Sequence, residues 1–166
     1  MDINNSAKTV SLGGILTAFA VLFQAAPVFL PGMGLILSPL ATLPIALATI
    51  RSSHLGIIAF LSSAFILLLI NPQEAIIFIM TTGLLGLSLG INHNKKIISS
   101  ILVSATILLV GIILLKYIAG LAVFGGLTPN APYIIEVSIF GLFTLFYSGI
   151  WVFIIKFITR FMKKVN

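Results

Sequence analysis

Three ionisable side chains set in apolar surroundings are where this sequence can do chemistry. Lys116 stands inside the run GIILLKYIAGL (111–121), with Tyr117 beside it. Glu136 lies near the start of a later apolar run, and Glu74 ends the turn-forming NPQE (71–74). An ammonium facing one or two carboxylates among apolar walls is an ionic anchor for a small ligand. Tyr117, Tyr133, Asn130, Asn71 and Gln73 supply aromatic and amide partners at about the same level. Apolar walls with a few convergent polar groups are the make-up of a small-molecule site. Each residue also has a plainer reading. A lysine stem can snorkel to the headgroups on its own. Asn71 and Asn130 can cap turns, and Tyr133 can belong to an interfacial aromatic belt.

Catalytic patterns are absent from the sequence. There is no HExxH, GxSxG, P-loop or strand-linked GxGxxG, and Asp2 is the sole aspartate, so an intramembrane aspartate pair is excluded. The chain has no cysteine, which removes disulfides, thiolate metal sites and a cysteine nucleophile. His54 and His93 fall in polar turns, and Asn92 and Asn94 flank His93 as in a solvated loop. The expectation is a protein that is not an enzyme and that holds no cofactor or metal.

The elements that position these groups follow from composition. Of 166 residues, 60% are hydrophobic and 7% charged, with a mean hydropathy of +1.26. So few charges cannot clothe a soluble domain, so lipid is the expected solvent. Proline, glycine and charge divide the chain into six apolar spans, at about 10–27, 35–50, 55–70, 74–90, 97–124 and 133–161. Span two carries Pro39 and Pro44, which interrupt its backbone ladder. NPQE places Pro72 at the start of a helix, and GGLTPNAP (125–132) is a turn-rich loop. The expected fold is an all-α integral membrane protein: one domain over 1–166, six short transmembrane helices in one bundle. A re-entrant hairpin of spans two and three would leave four crossings.

Charge order favours six. Lys8, Arg51, Lys95, Lys96, Lys156, Arg160, Lys163 and Lys164 all fall on one side of a six-crossing topology. The positive-inside rule makes that side the cytoplasm and puts both termini there, in a prokaryotic plasma membrane. This also accounts for the net charge of +6 without nucleic acid. Lys116 then lies about eight residues before the outer end of span five, roughly 12 Å along a helix, and across the loop from Glu136.

Ala7, Ser11, Gly14, Ala18 and Ala25 share one face of span one. Small residues at such spacing let another helix approach closely in lipid, either within this chain or from a separate subunit. With six short spans and a polar cluster at the outer ends of spans four to six, this stripe resembles the substrate-binding S components of energy-coupling-factor transporters. The resemblance implies capture of a vitamin or micronutrient-class solute from outside, and docking on a transmembrane coupling subunit that carries two ATPases. It places the docking face at Ser11, Gly14 and Ala18, where this chain has Gly-Ile-Leu-Thr-Ala over 14–18 rather than an alanine pair. The stretch 37–90, with Pro39, Pro44 and Arg51, is also similar to YybS-like membrane proteins, themselves likened to S components. The other function class is a membrane interaction or assembly protein without a ligand.

The charge order predicts that single cysteines at Asn94 and Asn130 label from opposite faces of intact cells, Asn130→Cys from outside only. Labelling of both from outside would reject the six-crossing topology.

Overall fold

A chain this apolar has little choice of backbone. Main-chain N–H and C=O groups left unpaired in hydrocarbon are costly, so spanning segments satisfy themselves as helices. The computed structural model describes residues 3–121 and 133–165, with the side chains of 7–121 and 134–161, and contains no strand among them. Eight α-helices follow: α1 (Ile3–Phe29), α2 (Met33–Leu37), α3 (Thr42–Arg51), α4 (Ser53–Ile70), α5 (Pro72–Met80), α6 (Thr82–Ile91), α7 (Ile97–Tyr117) and α8 (Tyr133–Val165). A 3-10 turn, Ser38–Ala41, joins α2 to α3. The described residues contain six helical stretches long and apolar enough to cross a membrane: Ala7–Phe29, Met33–Arg51, Ser53–Ile70, Pro72–Ile91, Ile97–Tyr117 and Ile134–Phe161.

Span two is thus a helix with a tightened middle, where Pro39 removes one donor and the 3-10 turn takes up the irregularity. Spans two and three, Met33–Arg51 and Ser53–Ile70, are each long enough to cross. Span four is broken as well, which its sequence does not announce. Thr81 leaves the helical region (φ −126°, ψ −87°), and its hydroxyl donates to the Ile77 carbonyl at 2.6 Å.

Span five ends sooner than its hydropathy suggests. The apolar run continues to Phe124, but α7 stops at Tyr117. Beyond it the chain unwinds into wider turns. Ala119 N–H reaches back to the Leu114 carbonyl, and Leu121 N–H to that of Leu115. Gly120 lies between them in the left-handed region at φ 66°, where a side chain would be strained. Lys116 therefore occupies the last turn of its helix rather than a position two turns inside it.

Contacts group the chain into two units, Met1–Ile91 and Asn92–Asn166. The first is built on small residues. Its core includes Ala20, Ala25, Ala41, Ile45, Ala48, Ala59, Leu67 and Phe78. Gly86 and Gly90 lay α6 directly on α3. A Cβ at Gly86 would lie 2.8 Å from the Thr42 carbonyl oxygen, and one at Gly90 would overlap Thr49 Cβ. Gly56 of α4 meets the same threonine, 2.7 Å from its Cα. Thr49 is thus held between glycines of two helices, and its hydroxyl is spent on the Ile45 carbonyl at 2.7 Å. With no hydrophobic drive between helices in lipid, such backbone approach is what holds them together.

The second unit is an antiparallel hairpin of α7 and α8, tied at both ends. Lys116 pairs with Glu136 at one end. At the other, Lys156 Nζ donates to the carbonyls of Lys95 (2.6 Å) and His93 (3.4 Å). Ser100 also returns a hydrogen bond to the Asn92 carbonyl at 2.9 Å.

Replacing Gly90 by leucine is expected to destabilise the protein by about 1 to 3 kcal/mol through overpacking. Gly14→Leu, at a position with open space around it, is expected to leave thermal stability near wild type. Detergent melting curves of the two variants check this difference.

Candidate functional site

Two polar foci interrupt the apolar interior, one in each unit. In the second unit, α7 brings Lys116 to its C-terminal turn, where the negative end of the helix dipole favours a cation. α8 brings Glu136 to its first turn, where the positive end favours an anion. The lysine ammonium hydrogen-bonds Glu136 Oε1 in a salt bridge. Tyr117 donates its hydroxyl to Glu136 Oε2 at 3.3 Å, and the ammonium lies 5.2 Å from the Tyr117 ring centroid.

Exposure divides these partners. The Glu136 side chain is 6% exposed and that of Lys116 31%, while Tyr117 is half exposed. The carboxylate is the buried support, and the ammonium and phenol are the accessible edge. An ammonium carries three donors, and a buried carboxylate beneath it leaves the outward ones for an incoming acceptor. The geometry can hold a ligand carboxylate, phosphate or carbonyl against an aromatic face.

In the first unit, Glu74 is positioned by a complete helix start. Asn71 is the N-cap, its side-chain oxygen accepting from the backbone N–H of Gln73 (2.9 Å) and Glu74 (3.3 Å), and Pro72 follows. The plainer reading of Asn71 is therefore the one seen. Glu74 Oε2 accepts from Gln24 Nε2 at 2.8 Å. Gln24, wholly buried on α1, accepts at its own Oε1 from the Thr82 hydroxyl at 2.7 Å. A carboxylate–amide–hydroxyl chain thus links α5, α1 and α6 beside the break at Thr81. Thr42 Oγ1 is buried with no hydrogen-bond partner among the described residues. Its residue lies against Gly86, one turn beyond Thr82.

Sequence reasoning missed Gln24 and Thr82. The available signal was a lone amide in VLFQAAP (21–27), where a buried polar group needs a partner. Of the residues singled out earlier, Lys116, Tyr117 and Glu136 come together. Asn71 and Gln73 surround Glu74 at its helix start, and Gln73 is exposed. Asn130 and the Tyr133 side chain lie outside the described residues. On α1, Ser11, Gly14 and Ala18 are exposed, as is Ala7, whereas Ala25 is in the core. The buried face runs instead through Gly13, Thr17, Ala20 and Gln24, with a Cβ at Gly13 only 2.7 Å from Leu55. Among the described residues no group of three or more His, Cys, Asp or Glu is placed to hold a metal ion.

Lys116→Met is expected to lower the melting temperature, because it strands a buried carboxylate. Adding Glu136→Gln should recover roughly half of the loss, the non-additivity of groups in contact. A thermal-stability cycle without ligand measures it. Strictly additive effects would mean that the ion pair carries no coupling.

No family model, curated protein or solved structure matches the chain.

Proposed function

We propose that this chain is the substrate-capture subunit of a multi-subunit membrane transporter. It takes a small solute of the vitamin or micronutrient class at the extracytoplasmic face of a prokaryotic plasma membrane. The observation that carries this reading is the Lys116–Glu136–Tyr117 cluster, in which a supported, accessible ammonium stands beside an aromatic ring at the ends of two spans. One-sided basic charge puts that end outside. The chain has no nucleotide-binding pattern of its own, so energy comes from a transmembrane coupling subunit with its ATPases. Membrane lipid is its surroundings, and nucleic acid has no part.

A second reading has its own observation. Ser11, Gly14 and Ala18 are exposed on α1, and nothing lies within 4 Å of a Cβ built at Gly14. That face suits an assembly protein that recruits a partner helix without any ligand.

Mass spectrometry of gently purified protein separates the two. A transport subunit is expected to release a small molecule on denaturation, and Lys116→Met should lose it. Wild type that releases none, while Gly14→Leu abolishes association with a co-expressed membrane partner, would favour assembly and overturn the capture reading.

A further inference from the structure

The end of the hairpin opposite Lys116 carries a feature that solute capture does not use. Ile97 and Ile101 of α7 and Gly149, Phe153 and Phe157 of α8 line a groove of about 210 Å³, with Lys156 and Arg160 among its walls. Its apolar side is open to the surroundings, with Phe153 74% and Phe157 65% exposed. Gly149 keeps it open, since nothing lies within 4 Å of a Cβ built there.

Depth follows from helix geometry. The twenty residues from Glu136 to Lys156 rise about 30 Å at about 1.5 Å each, the thickness of a bilayer's hydrocarbon core. If Glu136 is at one headgroup level, Lys156 and Arg160 are at the other. Glu136, at the opposite end of the hairpin, is the sole acidic side chain of the second unit. Lys156 is already engaged with two loop carbonyls. Arg160 is exposed and has no protein partner among the described residues. Lys163 and Lys164 follow in sequence and add positive charge.

We propose that this groove binds an anionic glycerophospholipid, its phosphate on Arg160 and Lys156 and an acyl chain along Phe153, Gly149 and Ile101. The guanidinium fork matches phosphate oxygens in a bidentate manner. Basic pockets between helices at a headgroup level select anionic lipid. Free phosphate offers nothing to the apolar walls, and a zwitterionic lipid offers no net charge to two cations. This occupant is independent of the captured solute.

Native mass spectrometry of the full-length protein with phosphatidylglycerol or phosphatidylcholine of identical chains tests the site. Wild type should retain phosphatidylglycerol preferentially. Arg160→Gln should reduce that retention about fivefold, Arg160→Lys less so, and Lys95→Gln, outside the groove, hardly at all. Gly149→Leu, which fills the groove from a position with room for a side chain, should reduce retention of both lipids. Equal retention of the two lipids by wild type would overturn the proposal. So would wild-type phosphatidylglycerol retention by both Arg160→Gln and Gly149→Leu. Thermal protection by inorganic phosphate equal to that by phosphatidylglycerol would rule out a lipid in favour of a simple anion site.

Discussion

Hydrocarbon gives a protein no hydrogen bonds, and the irregular features among the described residues are shaped by that. Where the helical ladder is irregular, local bonds and turns keep the backbone satisfied. At the break in span four both the backbone N–H and the hydroxyl of Thr81 donate to the Ile77 carbonyl, the 3-10 turn absorbs Pro39, and wider turns close the end of α7. The same rule governs the side chains of the two polar foci. Gln24 uses both ends of its amide, one toward Glu74 and one toward Thr82. Glu136 uses both oxygens, one for Lys116 and one for Tyr117.

Without a hydrophobic drive between helices, association rests on contact at short range. The first unit meets this with glycines. Gly56 and Gly90 close on Thr49, and Gly86 on the Thr42 carbonyl. The second unit packs Leu108, Ile112, Phe140 and Trp151 and adds charge at the two ends of its helix pair, where water and headgroups lower the cost of ions. Lys116 meets Glu136 at one end, and Lys156 caps loop carbonyls at the other. Lys116 in the last turn of α7 and Glu136 in the first turn of α8 are also each aligned with the favourable pole of their own helix dipole.

That placement changes the question Lys116 poses. Read as part of a span running to Phe124, it is a charge two turns deep. In the last turn of α7 it is an interfacial charge. The group that bears the desolvation is Glu136, more buried than its partner. The lysine and Tyr117 are the reachable members, so the cluster presents donors and an aromatic face outward rather than a carboxylate.

Much of this was determined by the sequence alone. Composition specified lipid as solvent, and punctuation placed six apolar stretches close to the six observed. NPQE specified the cap on α5, because an N-cap asparagine followed by proline is a local device that needs no tertiary context. The approach of Lys116 to Glu136 was legible too, since consecutive spans run antiparallel and bring their adjoining ends to the same side. Tertiary structure decided what periodicity cannot reach. In a helix that is apolar all round, the 3.6-residue repeat carries no sign of which face is inward. On α1 the buried face proved to be that of Gly13, Thr17, Ala20 and Gln24, and Ser11, Gly14 and Ala18 stayed outside. The end of α7 was hidden for a related reason. The apolar run continues past Tyr117 without a break, and the left-handed backbone at Gly120 carries no hydropathy signal. Gln24 found its partners on α5 and α6, distant in sequence, and only folding could name them.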